Sequence, residues 1–84
     1  MAYSLNFSKQ ALKVLEKINE PFYSSIKQAI IDLTENPRPQ GYLKLKGRDG
    51  YRIRIGDYRV IYDIFDTQLV VDIITLGHRK DIYE

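Results

Sequence analysis

The sequence predicts an α+β fold: an N-terminal strand and an antiparallel helix hairpin packed on a mainly antiparallel, twisted β-sheet. Apolar residues recur at helical spacing between positions 9 and 33, and beyond the turn Pro37-Arg-Pro-Gln-Gly41 the period drops to two. A Gly-Asp pair set between two alternating runs, in YRIRIGDYRVIY (51–62), marks a two-residue hairpin within that second region.

Each element follows from its local chemistry. Tyr3, Leu5 and Phe7 alternate with polar residues, the mark of a short half-buried strand. Ser8 is a helix N-cap, because its hydroxyl can accept from a free amide of the first turn. Ala11, Leu12, Leu15 and Ile18 then form one helical face opposite Lys13, Glu16 and Lys17, and Asn19 ends the run. Pro21 suits the first turn of a second helix, which buries Phe22, Ile26, Ala29, Ile30 and Leu33 and stops at Asn36-Pro37. So short a connection makes the two helices an antiparallel hairpin, with core packing as their role.

Eighty-four residues, 44% of them hydrophobic and 29% charged, suffice for one ordinary domain spanning 1–84 and leave no material for a second core. The chain has no cysteine and one histidine, which excludes a disulfide framework, a thiolate metal site and a site of several imidazoles. MAYSLNFSKQ lacks the basic and apolar run of a secretion signal, and no apolar stretch reaches the roughly 18 residues of a membrane span, so a cytoplasmic protein is expected.

Net charge is only +2, yet it is unevenly spread. Residues 38–59 hold seven bases against Asp49 and Asp57, a local excess of +5. The two-residue loop at Gly56-Asp57, with Gly first as a type II′ turn prefers, pairs Arg54 with Arg59, Ile53 with Val60 and Arg52 with Ile61. Arg52, Arg54 and Arg59 therefore share one side of the sheet, and Tyr51, Ile53, Ile55, Val60 and Tyr62 the other. A three-residue loop at Arg48-Asp49-Gly50 would pair Lys46 with Arg52 and Lys44 with Arg54, adding two lysines to the arginine side and placing Leu43 and Leu45 on the core side. Like charges facing each other across strands cost a few tenths to about 1 kcal/mol per pair. An anion would convert that repulsion into charge-assisted hydrogen bonds, and the arginine fork matches phosphate. A solvated strand face that keeps an edge soluble is the plainer explanation.

The third hairpin turns at Asp66 to Gln68, with two registers open. A two-residue loop puts Asp72 and His78 on the basic side; a three-residue loop puts Ile73, Thr75 and Arg79 there. Gly77-His-Arg-Lys-Asp-Ile-Tyr83 follows, bringing His78, Arg79 and Tyr83 to the edge of that face. His78 is the side chain whose ordinary pKa suits proton transfer at neutral pH, although a lone histidine is as often structural.

YRIRIGDYRVIY followed by GHRKDIY resembles the RelE branch of the RelE/ParE superfamily of bacterial and archaeal toxins from type II toxin-antitoxin modules. The likeness extends over the opening strand, the helix hairpin, NPRP and LKLKG. It implies a metal-independent, ribosome-dependent endoribonuclease, an mRNA interferase that needs no small-molecule cofactor. In such an enzyme a ribose 2′-hydroxyl attacks the adjacent phosphorus of messenger RNA in the ribosomal A site, and a RelB-like antitoxin neutralises the toxin. Carried onto this chain, Arg59 and Arg79 match phosphate-stabilising arginines, Arg79 also being a plausible acid, and Tyr83 matches a C-terminal tyrosine that orients or stacks on substrate. Arg52 and Arg54 stand where the best-known members carry lysines. Because arginine effectively cannot lose its proton, the proton acceptor falls to His78, or to Lys44 or Lys46 with lowered pKa. Lys44, Lys46 and Arg48 are candidate RNA contacts.

Two other functions remain open on sequence: a ParE-like toxin that inhibits DNA gyrase without cleaving RNA, and an RNA-binding module without activity. Ile61, Phe65 and Ile73, on or near the side away from the core, offer either a surface for the antitoxin or a face that the chain covers itself.

Overall fold

The computed structural model describes residues 2–81. Strand β1 (Ser4–Phe7) leads into helices α1 (Lys9–Glu16) and α2 (Phe22–Asp32), followed by strands β2 (Leu43–Lys44), β3 (Tyr51–Ile55), β4 (Tyr58–Phe65) and β5 (Val70–His78). They form one five-stranded sheet in the order β1-β5-β4-β3-β2, parallel only between β1 and β5. The expected α+β architecture is present.

Helix α1 begins where Ser8 caps it: the Ser8 hydroxyl accepts from the Ala11 amide at 3.0 Å. It ends at Glu16, sooner than the apolar spacing suggests. Pro21 occupies the N-cap of α2, one position before the first turn, and Glu20 supplies the missing cap by accepting from the Ser24 amide at 2.9 Å. The Ser24 hydroxyl, and after it that backbone bond, hold the Glu20 carboxyl below its ordinary range. Both helices lie on one face of the sheet. There Ala11, Leu15, Ile26, Ile30 and Leu33 meet Ile53, Val60, Tyr62, Ile64, Val71, Ile73 and Leu76 in a single buried cluster.

The Gly56-Asp57 hairpin forms in the predicted register, Arg54 opposite Arg59 and Arg52 opposite Ile61, with Gly56 at φ +59°. The preceding hairpin does not. Lys44 faces Tyr51 and Leu43 faces Arg52, and the loop closes through the Leu45 amide donating to the Gly50 carbonyl at 3.0 Å. The wider loop frees Leu45 to bury against Ile61 and Ile74 on the face away from the helices. Burying a leucine contributes about 1.5–3 kcal/mol, which outweighs the preference for the tighter turn. Gly50 permits this, since a Cβ there would meet Leu45 Cδ1 at 3.2 Å and its φ is +119°. The shift by an odd number of residues turns Lys44 to the Tyr51 side, with its Nζ 5.3 Å from the ring centroid.

The last hairpin follows neither register throughout. Its loop has four residues, 66–69, with Leu69 at φ +56°. Pairing then slips at Ile74: Tyr62 faces Ile73, whereas Ile61 faces Thr75. Asp72 consequently lies on the arginine side and His78 on the helix side. Ser8 holds the bulge, its amide donating to the Ile73 carbonyl at 2.9 Å and its hydroxyl to the Ile74 carbonyl at 2.6 Å. Because one hydroxyl serves both cap and bulge, Ser8→Ala is expected to lose at least the ~0.5–2 kcal/mol of a helix cap. Urea unfolding of the variant checks it, and an unchanged midpoint would show that the bulge holds without Ser8.

Ile73 thus belongs to the main core, and Ile61, 1% exposed, is covered by Leu45 from its own chain. Of the three apolar residues read as a partner surface, only Phe65 is exposed.

Candidate functional site

Strand geometry places Arg54 and Arg59 side by side on the face away from the helices. Gly77, opposite Arg59 on β5, carries no side chain to fill the space beyond it. The ladder continues one step past the Tyr58/His78 pair, where the Arg79 amide donates to the Asp57 carbonyl at 2.7 Å. Arg54, Gly56, Asp57, Arg59 and Arg79 line one small depression of about 140 Å³. The Arg79 Nε lies 3.7 Å from the Asp57 carboxylate, both side chains being largely in solvent. Among the described residues, Arg54, Arg59 and Arg79 with Asp57 beside them line a concave site of a size to receive a phosphate-like anion, and arginine can donate to several of its oxygens at once.

The other candidates lie elsewhere. Arg52 shares the face but is 6% exposed, so it sits within the sheet's packing and does not line the depression. Lys44 is on the opposite side, and Lys46 and Arg48 are exposed in the β2–β3 loop. Tyr83 lies outside the described residues. The His78 ring packs edge-on against Tyr58, centroids 5.6 Å apart, and its Nδ1 accepts from the Lys80 amide at 3.2 Å. Tyr58 in turn contacts Phe22. This places His78 in a groove of about 760 Å³ between the end of α1, the start of α2 and β5, across the sheet from the arginines. Among the described residues no three His, Cys, Asp or Glu side chains gather as metal ligands.

Arg38, although part of the basic segment, is engaged at the other end of the sheet. Its guanidinium meets the Asp66 carboxylate at 2.9 and 3.3 Å, and the Tyr3 hydroxyl donates to the same carboxylate at 2.7 Å. These donors, Arg38 foremost, hold the Asp66 carboxyl below its ordinary range. The pair ties the turn after α2 to the β4–β5 loop. Sequence reading did not identify it, because nothing local links positions 28 residues apart. It also took Asp57 only as a turn residue; its adjacency to Arg59 in the hairpin register was the available signal.

A helix hairpin on a five-stranded, mostly antiparallel sheet is an architecture that this chain shares with solved toxins from toxin-antitoxin complexes. It is similar to an archaeal RelE in its RelE-RelB complex from Pyrococcus horikoshii, with TM-score 0.85 and 32% identity over 98% of this chain and 100% of that one. It is likewise similar to the toxin of the intact Escherichia coli RelBE complex, with TM-score 0.80 and 32% identity over 92% of this chain and 96% of that one. In sequence it is 34% identical to the mRNA interferase toxin RelE of Escherichia coli, over 95% of this chain and 86% of the relative. Residues 5–83 match the family described as ParE toxin of type II toxin-antitoxin system, parDE. The chain belongs to the RelE/ParE superfamily of type II toxins and is of the RelE type.

Proposed function

We propose that this protein is the toxin of a type II toxin-antitoxin module, a single domain acting in the cytoplasm as an endoribonuclease on messenger RNA in the ribosomal A site. The observation that carries the reading is the depression in which Arg54, Arg59 and Arg79 converge, in a chain 34% identical to an mRNA interferase. In the reaction the 2′-oxygen forms a bond to phosphorus and gives up its proton. The bond from phosphorus to the 5′-oxygen breaks, and that oxygen takes up a proton, leaving a cyclic phosphate and a 5′-hydroxyl. Negative charge accumulates on the phosphoryl oxygens in between. Arg59 and Arg54 face it from adjacent strands, and Arg79 closes the third side and stands by the leaving oxygen. Arg52 supports the cluster from within the sheet, and Tyr83 is assigned to the base of the substrate. Charge stabilisation and alignment then supply most of the rate, as they can when no strong base is at hand.

This reading gives His78 no proton to carry, because its ring faces the other groove. His78→Gln is accordingly expected to leave the pH dependence of cleavage where it is, as measured by single-turnover rates between pH 5.5 and 8.5, roughly spanning the ordinary histidine pKa. A lost limb near pH 6.5 would return the histidine to the chemistry.

A RelB-like antitoxin is the expected partner, since the archaeal and Escherichia coli relatives named above were solved in complexes of toxin with antitoxin. The ParE description of the matching family favours a second reading, inhibition of DNA gyrase. Induced expression separates the two. Transcripts cut within codons, and cut in a purified system only with ribosomes present, support the nuclease; damaged DNA with intact transcripts supports gyrase.

A further inference from the structure

The depression holds one group that phosphate binding does not call for. Asp57 places a carboxylate among three arginines, where it repels the very ligand they attract. A turn does not require it: asparagine fits the same position of a type II′ hairpin. Asp57 is also joined to Arg79 twice, through its carbonyl, which accepts from the Arg79 amide at 2.7 Å, and through its carboxylate, 3.7 Å from the Arg79 Nε. The first contact fixes where the arginine side chain starts; the second draws its charged end toward the depression. With 61% and 64% of the two side chains exposed, the ion pair is screened and easily exchanged.

We propose that Asp57 is the internal counter-ion of the phosphate site, a positioning residue whose carboxylate keeps the Arg79 guanidinium at the depression in the free protein and yields it to an RNA phosphate on binding. The proposal rests on the phosphate-binding reading of the arginine cluster. Arg79, whose side chain is 61% exposed, would without such a partner swing away from the depression into solvent. One weakly held anion keeps Arg79 close enough to be captured, at some expense in affinity. Placement of the arginine and tightness of binding are then set by the same residue and move in opposite directions when it is changed.

The test uses the full chain and a short single-stranded RNA carrying 2′-O-methyl groups, which cannot be cleaved, titrated by NMR at several salt concentrations. Asp57→Asn is expected to tighten binding about three- to tenfold at low salt by removing one repelling charge. It should also steepen the slope of log Kd against log salt by about 0.7, one further phosphate contact on a single strand. Asp57→Glu should restore the parental slope. In cleavage assays Asp57→Asn should lower KM and kcat together, a split that mere damage to the turn would not give. Arg59→Ala serves as the control. If it weakens binding while Asp57→Asn leaves affinity and slope unchanged or weakens them, the counter-ion proposal is overturned and the phosphate site stands. If Arg59→Ala leaves binding unaltered, the phosphate site itself is wrong.

Discussion

Arg59→Ala is expected to reduce messenger RNA cleavage by two orders of magnitude or more while leaving the fold in place. Arg59 stands between Arg54 on one neighbouring strand and the gap left by Gly77 on the other, and lines the depression with Arg54 and Arg79. Removing one preorganised donor to a developing oxyanion costs about 100- to 1,000-fold in rate. Single-turnover cleavage on programmed ribosomes measures the loss, and thermal unfolding run in parallel keeps misfolding from imitating it. Arg59→Lys should recover only part of the rate, since lysine brings the charge without the fork. Full activity in Arg59→Ala would remove the arginine cluster from catalysis.

The largest effect on stability is expected at Tyr62. Its ring is fully buried in the main core and lies 5.9 Å, centroid to centroid, from that of Tyr51. Its hydroxyl donates to the Pro37 carbonyl at 2.7 Å, tying β4 to the turn that follows α2. Tyr62→Phe keeps the ring but strands that carbonyl in the interior, which costs about 1–3 kcal/mol. Tyr62→Ala also opens a cavity, and loss of a buried aromatic costs about 3–5 kcal/mol. Burial raises the phenol pKa well above its ordinary value. The unfolded chain therefore ionises near pH 10 while the folded one does not. The sign follows: this contribution is complete below about pH 10 and is lost as pH rises toward the folded value. Urea unfolding between pH 8 and 11, roughly the window around the phenol's ordinary pKa, should show parental stability falling at the alkaline end and Tyr62→Phe falling less. Equal slopes would mean that the hydroxyl is not sequestered.

What could be read from sequence was what short-range chemistry decides. A two-residue Gly-Asp loop admits one register, so the Arg54/Arg59 pair and the helix-side row of Ile53, Val60 and Tyr62 followed directly. The β2–β3 loop was misjudged because Gly47 and Gly50 both permit positive φ, leaving several closures available, and burial of Leu45 on the far face chose among them. The slip at Ile74 has no signature of its own; it is held by Ser8, more than sixty residues earlier, in a contact that exists only once β1 lies beside β5. Two trial registers for the last hairpin each described part of it for that reason. The arginines could be placed because two share a tight hairpin, and His78 could not because its side depends on the slip.

The slip also gives β5 a change of parity that any scan of this strand will meet. Asp72 before it and Gly77 after it look out on the same surface although one number is even and the other odd, while Ile73 and His78 look out on the opposite one. A substitution series that assumes strict alternation would therefore mix two unrelated surfaces at its midpoint. Sorted by phase instead, neighbouring positions 78 and 79 become independent handles, each able to be altered without touching what the other faces.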